Sequence, residues 1–97
     1  MTLFFVGVDV VHYAQDKNQP KDRLAAIEGF FRGLKARRAL DGLWLVRSSL
    51  TAQGLLKALR AHFGSRDGAV VTEVKGNVAH WWTLETISDV LPPPSNS

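Results

Sequence analysis

LDGLWLVRSSLTAQGLLKALRAHFG, residues 40–64, reads as strand, turn and helix, with the helix's start and stop both written in local chemistry. Leu43, Trp44, Leu45 and Val46 form the short apolar, β-prone run of a largely buried strand. Asp41-Gly42 before it is a turn signal, which glycine satisfies by tolerating positive φ. Thr51 is placed to cap a helix, and Leu50 and Leu55 stand where a hydrophobic staple closes around such a start. Leu55, Leu56, Leu59 and Phe63 repeat at helical spacing, and Gly64 follows as a stop.

Outward from that stretch, the N-terminal side supplies a strand and a helix. Leu3 to Val10 is a strand with apolar residues on both faces, so it belongs in the middle of a sheet with a layer on each side. His12 to Gln19 is polar and aperiodic, hence a loop. Pro20 suits a first helical turn. Leu24, Ile27, Phe31 and Leu34 then mark a helical stripe, which Gly29 and Gly33 weaken by ~1 kcal/mol each relative to Ala.

Arg37 to Leu40 pairs through Asp41-Gly42 with Leu43–Ser48 as a hairpin. On the far side, Ser65-Arg66-Asp67-Gly68 turns into a strand over Ala69 to Lys75. Val78 to Trp82 is expected to extend a sheet edge, and Thr83 to cap a short last helix carrying Leu84, Ile87 and Leu91. Residues 1–91 then form one domain, and residues 92–97, a Pro/Ser tail, cannot continue a helix.

The order β-α-β-β-α-β, with right-handed crossovers, places both helices on one face. It is the ferredoxin-like, two-layer α+β sandwich with a short C-terminal extension. A β-α-β-α-β sheet is the alternative if Arg37–Leu40 is loop.

Composition sets outer limits. The chain has 97 residues, 45% hydrophobic and 22% charged, which suits one globular core rather than disorder. It lacks cysteine, which excludes a disulfide framework and a thiolate metal site and fits a reducing cytoplasm. The apolar start is interrupted by Asp9 and too short for a membrane span, so a cytoplasmic protein without a membrane partner is expected. A net charge of +3 permits contact with nucleic acid without requiring it.

Alternation along the strands assigns the faces. Phe4, Val6, Val8, Trp44, Val46, Val70, Thr72 and Val74 read as the helix side. Leu3, Phe5, Asp9, Leu43, Leu45, Arg47, Val71, Glu73 and Lys75 read as the opposite side. Left uncovered, that second face exposes large apolar groups, the usual sign of an interaction site. A homodimer with Leu3, Phe5, Leu45 and Val71 in its interface covers it, with Trp81 and Trp82 beside His80 adding contact area. A C-terminal segment folding back over the same face is the alternative.

Few residues offer chemistry. Asp9, at the end of a central strand, is costly to bury unless paired or metal-bound. Two copies meeting across a two-fold, with water, could hold Mg²⁺ for phosphodiester cleavage. Pairing with Arg47 or Lys75, or plain exposure, is the structural alternative. The run Lys35-Ala36-Arg37-Arg38, with Arg47 elsewhere, could grip phosphates or be a solvated helix end. The histidines lack metal-ligand spacing, and there is neither a nucleophile elbow nor a phosphate-cradling glycine loop.

VGVDVV, LDGLWLV, SLTAQGLLKALRAHF and AVVTEV together resemble the SinR-like relatives of the small CRISPR-associated adaptation protein, over roughly Leu3 to Lys75, with VapD-like ribonuclease toxins as more distant cousins. The resemblance implies a ferredoxin-like subunit, a two-fold dimer and, in some members, a Mg²⁺-dependent nuclease or a duplex-DNA scaffold. By position Asp9 would be the metal-binding, catalytic carboxylate. Val8 stands where that family commonly has Tyr, and the long loop after Asp9 offers no second catalytic group.

The expectation is a small homodimeric protein associated with DNA or RNA, with Lys35, Arg37, Arg38 and Arg47 on the backbone and endonuclease activity resting on Asp9 and Mg²⁺. The alternative is a non-catalytic dimerisation or adaptor module that binds another protein through its apolar sheet face.

Overall fold

The structure, a computed structural model, describes residues 1–12, 16 and 18–91. The proline tail and part of the loop before Pro20 lie outside the described residues. The elements are β1 (Thr2–Asp9), α1 (Pro20–Gly33), β2 (Arg37–Leu40), β3 (Leu43–Ser48), α2 (Ala52–Arg60) and β4 (Gly68–Glu73). Their order gives a four-stranded antiparallel sheet, β2-β3-β1-β4, the ferredoxin-like topology. Among the described residues no helix is long and apolar enough to cross a membrane.

The core between sheet and helices holds Phe4, Val6, Trp44 and Val46 against Ile27, Phe31, Leu55 and Leu59. Phe31 stacks on Trp44 with ring centroids 4.7 Å apart, tying α1 to the middle of the sheet. The buried side of α1 is Arg23, Ile27 and Phe31, at i, i+4 and i+8. Leu24, expected on that stripe, is 40% exposed and Arg23 takes the buried place.

The end of α1 is built in backbone bonds. Ala36 N–H donates to the Phe31 carbonyl and Lys35 N–H to that of Arg32, the Schellman pattern, with Lys35 at φ 57°. A lysine in that left-handed region costs more than glycine does. Lys35→Gly therefore raises stability by about 1 kcal/mol, which urea denaturation will show as a higher midpoint with unchanged slope.

Thr51 caps α2 as expected, its hydroxyl accepting from Gly54 N–H at 3.0 Å. The helix ends at Arg60, short of the expected Phe63. Gly64 is therefore not its stop, and its φ is not positive. Gly42 is not in the left-handed region either. Its need is close approach, because Val8 N–H donates to the Gly42 carbonyl at 2.6 Å and a Cβ on Gly42 would stand 2.5 Å from the Val8 carbonyl oxygen.

The face assignment of β4 is corrected. Val6 pairs with Val71 and Val8 with Ala69, so Val71 packs on the helix-side core while Val70 points away and is 68% exposed. With valine at both 70 and 71, alternation could not choose a register, and a shift of one residue flips every side chain.

Residues 78–82 form no strand and no helix follows Thr83. Instead Leu84 N–H and Glu85 N–H donate to the carbonyls of Ala39 and Arg38, each at 3.0 Å, while Arg38 N–H donates to the Glu85 carboxylate at 2.7 Å. The outer edge of β2 is thereby covered. The chain then crosses the second sheet face, where Ile87 is buried with Ala39 and Leu45 and flanked by Leu3, Phe5, Leu43, Val74, Val90 and Leu91. The face read from the sequence as open to a mate is thus closed over Leu45 by the chain's own C-terminal segment.

Candidate nucleic-acid interface

One end of that second face carries the cations. The strand pairing puts Arg37 opposite Leu45, and Arg47 opposite Leu3, so both arginines belong to the side away from the helices. Lys35 enters from the turn that ends α1. Lys35, Arg37 and Arg47 line a single cleft of about 420 Å³ whose apolar lining includes Leu3, Leu34, Leu45 and Val90. Three elements converge on it.

The two arginines also strap the C-terminal segment. Arg37 donates to the Thr86 carbonyl at 2.9 Å and pairs with Asp89 at 3.1 Å, and Arg47 donates to the Val90 carbonyl at 3.2 Å. The Arg37–Asp89 pair is exposed on both sides, so water screens it and the guanidinium remains open to a further anion.

Arg38 is separated from this group. Opposite Trp44, it lies on the helix side with its guanidinium 5.5 Å from the Trp44 ring centroid. It is 3.4 Å from Glu28 and donates to the Asp41 carbonyl at 3.0 Å. The Lys35–Arg38 run is split because β2 alternates its side chains across the sheet.

Asp9 lies elsewhere. It is exposed at the end of β1, opposite Gly68 of β4, so the cost of burial expected from the sequence does not arise. Arg47, considered as its ion-pair partner, sits opposite Leu3 at the other end of β1, ~20 Å away by strand rise. Lys75, the other candidate, pairs with Glu73 at 3.6 Å. Among the described residues no group of three or more His, Cys, Asp or Glu is placed to hold a metal ion.

Trp81 and Trp82 are 81% and 83% exposed, with ring centroids 6.4 Å apart in an edge-to-face pair. Leu45, in contrast, is buried, and Leu3 and Phe5 are half-buried under the C-terminal segment.

Sequence reasoning missed a buried charge cluster. Arg23 Nε donates to Asp67 at 2.8 Å, and its Nη2 to the Val11 carbonyl at 2.6 Å. Asp67 also accepts from Gly64 N–H at 2.7 Å and Val11 N–H at 3.1 Å. Asp16 accepts from the Ser65 N–H and hydroxyl, at 3.0 and 2.7 Å, and its other oxygen lies 3.7 Å from Arg23. The loop before α1, the end of β1 and the turn before β4 are locked together.

The hydrogen bond to Asp67 pushes the Arg23 guanidinium further up. Burial alone drives the Asp67 carboxyl upward, but Arg23 and the Gly64 and Val11 N–H groups outweigh it and hold Asp67 below the ordinary carboxylate range. Ser65, through its N–H and then its hydroxyl, holds Asp16 low as well. The available signal was an arginine four residues before Ile27 on a buried helical stripe. The cluster is an internal brace, since Arg23 and Asp67 are almost wholly enclosed.

Comparison with protein-family models, curated proteins and solved structures gives no match.

Proposed function

We propose that the protein binds nucleic acid, with the sugar–phosphate backbone at the cleft between β2, β3 and the end of α1. The observation that carries this is the convergence of Lys35, Arg37 and Arg47 on one cleft, from separate elements. Converging cations neutralise adjacent phosphates and release their counterions, which a scattered surplus of +3 need not do.

The two-fold mate in this reading meets the chain at β4, the sheet edge away from β2, where Val70 stands exposed. The face first read as the mate's is covered over Leu45 by the C-terminal segment. This reading assigns Asp9 no part in binding.

Binding will fall steeply as salt rises, measured by fluorescence anisotropy of a labelled oligonucleotide. The double variant Lys35→Gln/Arg47→Gln will reduce the slope of log affinity against log salt by about 0.7 per residue on a single strand and about 0.9 on a duplex. Arg38→Gln, removing a cation already engaged by Glu28 and Asp41, will leave the slope nearly unchanged. Equal effects from Arg38 and from the cleft residues would remove the cleft as the binding site, and absence of binding at low salt would favour the adaptor reading.

A further inference from the structure

Trp81 and Trp82 are the largest apolar groups that the described chain leaves in water. Their neighbours His80 and Ala79 are also exposed, and Trp82 holds φ 53°, a left-handed conformation that a bulky side chain rarely adopts. An outlier of this kind persists where the surroundings or a function maintain it. Two indole side chains are thus presented to solvent side by side.

Position connects Trp81, and Trp82 through it, to the face that carries the cations. His80 and Trp81 border a second cleft, of about 220 Å³, together with Phe5, Ala39, Leu43 and Ile87. Phe5, Leu43 and Ala39 lie on the same sheet face as Leu3, Leu45 and Arg37 of the cationic cleft. Leu43 of this cleft and Arg47 of the cationic one are four residues apart on β3, ~13 Å along the strand, with Leu45 and the Ile87 that covers it between them.

We infer that Trp81 and Trp82 form a base-stacking platform for single-stranded nucleic acid, whose backbone continues to Lys35, Arg37 and Arg47. This rests on the nucleic-acid reading and narrows it to unpaired strands. Flat aromatic rings stack on any base but only on bases that are splayed out, and a duplex keeps its bases enclosed. The occupant is favoured over a protein partner by the charge at the other end of the face. Paired aromatic and cationic sites match a ligand that alternates bases and phosphates.

The test is intrinsic tryptophan fluorescence on titration with oligothymidylate, oligouridylate and a duplex of equal length. Trp44, buried against Phe31, supplies a constant background. Single strands will quench the emission and the duplex will not. Trp81→Ala/Trp82→Ala, at exposed positions, will melt as the parent does yet lose about tenfold or more in single-strand affinity. Trp81→Phe/Trp82→Phe will recover most of it.

Single-strand binding with a salt dependence but no quenching, and no loss in the alanine variant, would overturn the platform and leave the cationic cleft standing. A duplex that binds as tightly and quenches as strongly would also overturn it. Absence of binding by any of these probes at low salt would remove both. Self-association in sedimentation that disappears in the alanine variant, with no effect of that variant on oligonucleotide binding, would assign the tryptophans to a protein contact instead.

Discussion

Asp67→Ala will lower the stability of the folded chain by about 3–5 kcal/mol, the usual cost of removing one partner from a buried pair. The carboxylate is fully enclosed and accepts from Arg23, Gly64 and Val11. Alanine leaves a buried guanidinium without its main counter-charge and two backbone N–H groups without acceptors. The cluster packs tightly against the backbone, since a Cβ at Gly64 would stand 2.5 Å from Asp16 and 2.8 Å from Arg23. Urea denaturation followed by circular dichroism measures the loss. The double replacement Arg23→Met/Asp67→Leu should be milder than Asp67→Ala alone, since no unpaired charge remains. If the single variant shifts stability by less than ~1 kcal/mol, the cluster does not brace the fold.

The same carboxyls set an acid limit. Asp67 and Asp16 are held below their ordinary value of about 3.9 in the folded chain. The unfolded chain therefore binds more protons in acid, so their contribution is complete above that value. It is lost as pH falls from about 4 through the lowered values of the folded state. Melting temperature should drop across that window, and Asp67→Asn should flatten the drop.

The fold was legible because its elements are punctuated locally. Asp41-Gly42, Thr51 and the run from Leu43 to Val46 place the hairpin and second helix without help from the rest of the chain. What escaped were choices made only by tertiary contact. Leu24 and Arg23 fit the helical stripe almost equally by spacing, and Asp67, distant in sequence, decides that the arginine goes inside. Val70 and Val71 are interchangeable by hydropathy, and pairing with Val6 decides between them. Gly42 reads as a turn glycine and Gly64 as a helix stop, whereas both are set by a close neighbour rather than by φ.

The site was legible in part. A basic run was visible, but the split of Arg38 from Lys35 and Arg37 follows from strand alternation around β2, and the addition of Arg47 from antiparallel pairing. Leu84, Ile87 and Leu91 have the spacing of a helix that does not form, because the C-terminal segment's cover of the second face depends instead on Ile87 reaching Ala39 and Leu45.

Ile87→Ala will cost about 2–5 kcal/mol, as deletion of a buried aliphatic side chain does. Ile87 is 1% exposed and is the one fully buried apolar side chain that residues 83–91 contribute. The remaining attachments are two backbone bonds along β2, the Arg38 N–H bond to the Glu85 carboxylate, the arginine straps at Thr86, Asp89 and Val90, and the partly buried Val90 and Leu91. These lie near the surface, where water competes for them, so they cannot replace the lost packing over Leu45. The loss belongs toward the lower end of the range if the irregular segment settles into the space, because the cost grows with the cavity that remains. Denaturation at two protein concentrations reads the result. A shifted midpoint that is the same at both concentrations means that the segment closes the face within one chain. An unshifted midpoint would remove Ile87 as the anchor. A midpoint that rises with concentration in the variant, but not in the parent, would show Leu3, Phe5 and Leu45 to be covered by a second copy once their own cover is loosened.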